Sequence, residues 1–145
     1  MLSLTKKTGY GLIAMASLAQ LGPGELLSAR QIAERTGMPP SLVTNALKSL
    51  CASGYVDSVR GARGGYKLAC RPDRINLGDL IVDIEGPVRL TECVMGRRAK
   101  RQAANCELAD RCPIAEPIRR VHEKLRDFLK NVTLAEIVES ANPTP

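Results

Sequence analysis

Three cysteines, Cys93, Cys106 and Cys112, stand on one stretch of the chain, with residues 94–105 between the first pair and 107–111 between the second. Soft thiolate ligands suit iron–sulfur irons and zinc, so three converging cysteines can hold either. Arg97, Arg98, Lys100, Arg101 and Arg111 lie among them and would offset the negative charge of thiolates or of a cluster. No CxxC pair is present, which speaks against an ordinary zinc finger. Cysteines with no shared task, buried or free, would give the same spacing. Cys51 and Cys70 read differently. Cys51 follows Leu50 in a helical stretch, and Cys70 alternates with Leu68 and Tyr66, so both are expected to pack as small apolar side chains. His122, the single histidine, falls midway along a helical stretch, where a solvated or interface role is the default and a ligand role the less common one. Glu116 is equally ambiguous. There is no P-loop, no GxGxxG and no grouping of Ser, His and Asp or of Cys and His around a glycine elbow, so an enzyme is not expected.

The elements that must position these residues follow from periodicity and breakers. Residues 5–21 predict a first helix, stopped by Gly22-Pro23-Gly24. Ser28 is a natural cap for a short helix from Ala29 to Thr36, with Ile32 and Ala33 inward, and Gly37 supplies the left-handed residue that ends it. Pro39-Pro40 open a third helix to about Ser53, with Leu42, Ala46, Leu47 and Leu50 as its apolar face. Helix, tight turn and helix have the form of a helix-turn-helix, a form that many helical hairpins share. The next stretch sharpens it. Tyr55–Val59 and Tyr66–Cys70 predict two strands joined by Arg60-Gly61-Ala62-Arg63-Gly64-Gly65. A purely structural hairpin has no need of two arginines at its tip, whereas a DNA-binding wing uses them on phosphates or in a narrow groove.

Beyond Pro72, Asn76 can cap a helix from Leu77 to about Glu85, stopped by Gly86-Pro87. Residues 93–112 read as irregular and basic. A long helix is expected from about Ile114 to Asn131, with Ile114, Ile118, Val121, Leu125, Phe128 or Leu129, and Val132 at heptad spacing. That seam suits pairing of two helices; a helix docked only on its own core would show much the same stripe. Thr133 caps a last short helix from Leu134 to Ser140.

Charge separates the two halves. Residues 1–75 hold ten Lys or Arg against four acids, while residues 76–145 hold eleven of each, so the whole excess of +6 lies in the first half. A polyanion-facing half would carry it in this way, as would a solvated basic surface. Residues 9–22 are too short to span a bilayer and only loosely mimic a signal peptide, so no membrane association is expected and the chain is placed in the cytoplasm, where clustered cysteines bind metal or sense redox state rather than form structural disulfides.

Leu4-Thr5-Lys6-Lys7-Thr8-Gly9-Tyr10-Gly11, the run Val59-Arg60-Gly61-Ala62-Arg63-Gly64-Gly65-Tyr66-Lys67-Leu68 and the three downstream cysteines together resemble the Rrf-two family of bacterial winged-helix regulators. The resemblance covers nearly the whole chain. The wing is its most specific part, and Glu85-Gly86-Pro87-Val88 with Thr91-Glu92-Cys93 is most similar to the members that control iron–sulfur (SUF-type) assembly.

What the resemblance implies is a mainly α fold with a small β-hairpin: a winged helix-turn-helix DNA-binding domain over residues 1–75, then a cluster-binding loop and a long dimerisation helix over residues 76–145. It implies a homodimer on a palindromic double-stranded DNA operator. Ser41, Thr44, Asn45 and Lys48 would meet base edges or phosphates from the third helix, and Arg60 and Arg63 would act from the wing. Cys93, Cys106 and Cys112 match the family's cluster ligands, with a [2Fe-2S] or [4Fe-4S] cluster as cofactor. The expected function is repression or activation of iron–sulfur assembly or stress genes in response to cluster, iron or redox status; the alternative is a zinc-binding or thiol-redox regulator with no cluster. Two departures leave the fourth ligand open. Some members carry a histidine three residues after the last cysteine, where this chain has Ala115, and others use an N-terminal aspartate, where it has Gly9. Glu116, His122, a residue of the second subunit or a small molecule could fill that place.

Overall fold

In the computed structural model the described residues are 4–91, 108 and 111–141. Helix α1 spans Lys6–Ala19, α2 Ala29–Thr36 and α3 Pro40–Ala52. Strands β1 (Val56–Val59) and β2 (Gly65–Leu68) form one antiparallel hairpin in which Val56 faces Leu68 and Val59 faces Gly65. A short 3-10 turn at Pro72–Arg74 leads into α4 (Leu77–Glu85); α5 (Ala115–Asn131) and α6 (Leu134–Ala141) follow. The fold is the expected one, mainly helical with a small β-hairpin.

Local chemistry explains the boundaries. Ser28 Oγ accepts from Gln31 N, and Gln31 Oε1 accepts from Ser28 N, a reciprocal capping box that starts α2. Gly37 ends it at φ 70°, a left-handed conformation that costs a side-chain-bearing residue about 1 kcal/mol or more. Asn76 Oδ1 accepts from Asp79 N to open α4. Thr133 and Glu136 exchange hydrogen bonds to open α6. The start of α1 is capped from elsewhere: the Thr5 side chain makes no bond to its own helix, and Glu85 at the end of α4 accepts from Thr5 N (2.8 Å), Thr5 Oγ1 (2.6 Å) and Thr8 Oγ1. Those hydroxyl and amide donors hold the Glu85 carboxyl below its ordinary pKa.

One core joins the elements. Met15 and Leu18 of α1, Ile32 of α2, and Val43, Leu47 and Leu50 of α3 are buried together with Leu27, Val56, Ile75, Leu80 and Leu134. Leu134 N donates to Ile75 O and Leu77 N to Val132 O, both at 2.8 Å, so the end of α5 is pinned to the start of α4. Gly78 lets these helices close up, since a Cβ there would stand 2.9 Å from Lys130 Cγ and 3.0 Å from Lys130 N.

Three expectations are corrected. The buried face of α3 carries Val43 in place of Leu42, which is half-buried on the flank. Cys70 is exposed, because β2 ends at Leu68 and the chain bends away once Ala69 N has bonded Tyr55 O, so the strand alternation stops short of it. His122 is neither solvated nor held for a partner: it is 4% exposed and turned toward α4 of its own chain. Cys51 is partly buried against the core, and burial pushes its thiol pKa up.

Candidate nucleic-acid interface

The inward face of α3 is set by four apolar residues, Val43, Ala46, Leu47 and Leu50, and the helical period therefore commits the outward face. Ser41, Thr44, Asn45 and Lys48 fall at i, i+3, i+4 and i+7, one stripe along the helix. Ser41, Asn45 and Lys48 are exposed and Thr44 is half-buried. Thr44 Oγ1 donates to Pro40 O at 2.9 Å, so its proton is used within the helix and its lone pairs remain to accept. Beside this stripe, Lys7 and Tyr10 of α1 line a groove with Leu42, Asn45 and Ser49. The sequence reading had Lys7 and Tyr10 only within the family-resembling run Leu4–Gly11 and did not place them beside this stripe. Their i, i+3 spacing at the basic start of an apolar helix was the available signal.

The wing is rigid at its base and polar at its tip. Leu27 N donates to Tyr66 O (3.1 Å) and Tyr66 N to Leu27 O (2.8 Å), adding a one-residue third strand that the sequence reading also missed. Gly65 sits against that bridge, where a Cβ would come 2.9 Å from the Leu27 carbonyl. Across the turn Gly64 N donates to Gly61 O, and a Cβ on Gly64 would meet Val59 O at 2.2 Å. Gly61 has φ 121°, a region that favours glycine. Arg60 and Arg63 are both exposed on this turn. Tyr55 Oη donates to Asp83 Oδ2 at 2.6 Å, tying the foot of the wing to α4; burial first, and this bond second, raise the Tyr55 pKa above the usual phenol range. The structure thus sets the six residues that the resemblance implies for DNA contact on one stripe of α3 and one hairpin tip, five of them exposed and Thr44 half-buried.

The cysteine set is only partly in view. Cys112 is half-buried and free, three residues ahead of α5, and Ala115 N donates to its carbonyl. Cys93 and Cys106, and most of the segment read as irregular, lie outside the described residues. Glu116 is engaged by Arg119 (2.6 and 2.8 Å) and Arg120 (3.1 Å), whose guanidinium bonds lower its pKa to about 2. His122 Nδ1 is buried without a hydrogen-bond partner, which costs roughly 1–3 kcal/mol if nothing occupies the adjacent space.

Part of the hydrophobic seam at and along α5 points outward, while Ile118, Leu125, Leu129 and Val132 are half-buried. Ile114, Val121 and Phe128 are 59%, 52% and 63% exposed, an apolar edge that the monomer leaves uncovered. No helix among the described residues is long and apolar enough to cross a membrane.

Comparison with known proteins places this geometry. The family model described as Rrf2, iron-dependent transcriptional regulator, matches residues 4–140. The fold superposes on CymR (YrzC), the global cysteine regulator of B. subtilis, with a TM-score of 0.73 and 29% identity over 98% of this chain and 100% of that one. T. potens IscR matches with a TM-score of 0.70 and 30% identity over 97% of this chain and 89% of that one. Staphylococcus aureus CymR matches with a TM-score of 0.66 and 29% identity over 93% of this chain and 97% of that one. Regulators of this family bind DNA, typically act as dimers and are not enzymes. The chain therefore belongs to the Rrf2 family of transcriptional regulators.

Proposed function

We propose that the chain is a homodimeric DNA-binding repressor that reads a palindromic operator through residues 1–75 and senses iron–sulfur cluster, iron or redox status through residues 76–145. The observation that carries the DNA half is the single polar stripe of α3, Ser41, Thr44, Asn45 and Lys48, set beside a hairpin tip bearing Arg60 and Arg63. In a two-fold dimer the stripe enters the major groove, and the wing arginines reach phosphates or the adjacent minor groove. The apolar edge of α5 supplies the dimer contact.

For the sensor half, Cys93, Cys106 and Cys112 are the ligands of a [2Fe-2S] or [4Fe-4S] cluster. The fit rests on donor chemistry: three soft thiols in one segment, one of them half-buried at the start of α5. When bound, the cluster supplies the iron- and redox-sensitive element. Two features disfavour His122 and Glu116 as the fourth ligand. His122 lies seven residues past Ala115, about 10 Å of helical rise, and is turned toward α4; Glu116 is already held by two arginines. A residue of the second copy or a small molecule is left for that place. Glu85 fastens the end of α4 to the start of α1, immediately before the Gly86-Pro87 link toward Cys93, and so offers a short route from the cysteines to the DNA-binding head.

Anaerobic purification tests the sensor half. Brown protein is expected, with serine at Cys93, Cys106 or Cys112 losing most iron and sulfide, and serine at Cys51 or Cys70 losing neither. Protein that stays colourless after reconstitution with iron and sulfide, and takes up zinc instead, would overturn that half and leave the DNA-binding half standing.

A further inference from the structure

The start of α1 presents two different faces. Thr8, Gly11, Met15 and Leu18, at i, i+3, i+7 and i+10, are buried. Roughly 100° around the helix stand Lys7 and Tyr10, at i and i+3. Lys7 is exposed and Tyr10 half-buried. With Leu42, Asn45, Ala46 and Ser49 of α3 they line a groove of about 310 Å³. The polar lining is one ammonium, one phenol, one amide and one hydroxyl, with no carboxylate among them. Each of these four groups can donate a hydrogen bond. Asn45 belongs both to the groove and to the DNA-facing stripe, so the two surfaces are continuous. A cationic groove of donors beside a base-reading stripe matches the polyanionic backbone that flanks the bases of a duplex.

The placement of this turn is decided outside α1. The Thr5 side chain does not cap its own helix. A single oxygen at the end of α4, Glu85 Oε1, accepts from Thr5 N at 2.8 Å, from Thr5 Oγ1 at 2.6 Å and from Thr8 Oγ1. Thr5 and Thr8 bracket Lys6 and Lys7 in the chain, so the clamp fixes the turn on both sides of Lys7. Lys7 is also near enough to feel the Glu85 charge.

We propose that the first turn of α1 is a second DNA-contacting element, in which Lys7 and Tyr10 hold a backbone phosphate beside the bases that α3 reads, and that Glu85 positions them. The inference rests on the DNA-binding reading above and deepens it. Lys7 supplies the charge, Tyr10 Oη donates a hydrogen bond, and Asn45 and Ser49 add donors from the α3 wall. Glu85 touches no DNA and acts through the turn it holds. The sign of its effect separates positioning from electrostatics. An acidic side chain close to a phosphate opposes binding, so removing it would tighten the complex if charge were its whole contribution. A positioning role predicts the reverse.

The test uses the full chain and a duplex that the parent protein selects from a random-sequence pool. Affinity is read by fluorescence anisotropy at several salt concentrations. Lys7→Gln is expected to weaken binding about tenfold and to make the slope of log affinity against log salt shallower by about 0.9, the share of one phosphate. Tyr10→Phe removes only the hydroxyl and should weaken binding about threefold. Glu85→Ala should keep the circular dichroism of the parent and weaken binding about fivefold, whereas Glu85→Gln, which drops the charge but keeps an oxygen to accept, should bind at least as well as the parent. Thr8→Val removes one donor with little change of shape and should shift affinity in the same direction as Glu85→Ala, so the positioning role stays testable if Glu85→Ala folds poorly. In a Lys7→Gln background Glu85→Ala should lose its effect, because the contact it positions is already gone. Lys48→Gln, on the α3 stripe, controls for the reading itself and should weaken the same duplex about tenfold. Weaker binding in Lys48→Gln with unchanged affinity and salt slope in Lys7→Gln would overturn the proposal and leave the DNA-binding reading standing. Tighter binding in Glu85→Ala, or the same loss with and without Lys7, would overturn the role given to Glu85. A parent chain that selects no duplex would overturn both readings.

Discussion

Helices α3 and α5 are both amphipathic, and they use that property in opposite ways. On α3 the apolar face is closed inside its own chain: Val43, Leu47 and Leu50 are fully buried, and Ser41, Asn45 and Lys48 are exposed on the opposite side. On α5 it is the histidine that turns inward, to the cavity against α4, while Ile114, Val121 and Phe128 look outward. An apolar stripe is therefore not a core signal by itself. Its meaning depends on which neighbours pack on it: α3 has α1, α2 and β1 around it, whereas among the described elements α5 packs chiefly on α4. The apolar face of α3 is closed by its own chain; among the described residues, Val121 and Phe128 of the long helix stay exposed.

That contrast can be broken. Phe128→Glu places a charge in the uncovered edge of α5. If a second copy covers this edge, the substitution should raise the dimer dissociation constant by about a hundredfold or more, at a cost of roughly 3 kcal/mol for an unpaired buried charge. Sedimentation velocity at micromolar concentration should then show monomer where the parent shows dimer, with the far-ultraviolet circular dichroism unchanged. A parent that is monomeric at these concentrations would remove the partner from α5 altogether.

On the α3 side, Arg60→Ala should leave the fold intact, because the side chain is exposed at the tip of a hairpin rooted at Leu27 and Tyr66. Operator affinity should fall about tenfold, and the slope of log affinity against log salt should become shallower by about 0.9 if the arginine contacts a phosphate. Gel-shift titrations at several salt concentrations read both. Unchanged affinity would take Arg60 out of the interface.

The smallest expected effect sharpens the link between the two regions. Glu85→Ala removes the acceptor that caps α1 and should cost about 1 kcal/mol, the ordinary worth of a helix cap. The Glu85 carboxyl is held below its ordinary pKa in the folded chain, so its contribution is complete above the unfolded-state value and is lost as pH falls through the folded one. Urea midpoints at pH 7 should separate parent and variant, and the gap should start to narrow once the pH falls below about 4. A gap that does not narrow as the pH falls below about 4 would mean that packing, not the charge, is what Glu85 contributes.

Much of the positioning was legible from local signals. Ser28, Gly37, Asn76 and Thr133 act where their side chains or φ angles demand, because caps and left-handed turns are decided within four residues. Ser41, Thr44, Asn45 and Lys48 came from the family resemblance, and the helical period is what sets them on one face of α3. Cys70 was misread because alternation holds only while a strand continues, and β2 stops at Leu68. The Leu27–Tyr66 bridge, and the capping of α1 by Glu85 across eighty residues of sequence, leave no local signature at all.

The sequence alone determined that the chain carries a helix-turn-helix, a glycine-rich wing with two arginines, a basic first half and a heptad-spaced long helix, since periodicity, turn chemistry and charge are properties of neighbouring residues. Only the tertiary structure decided which side of α5 is covered. His122 and Leu129 turn toward α4 because Gly78 lets the two helices approach and the Asn76–Thr133 bridge fixes their register, which leaves Val121 and Phe128 outside. A heptad pattern specifies that a stripe exists; the choice of what covers it is made by contacts between residues far apart in the chain.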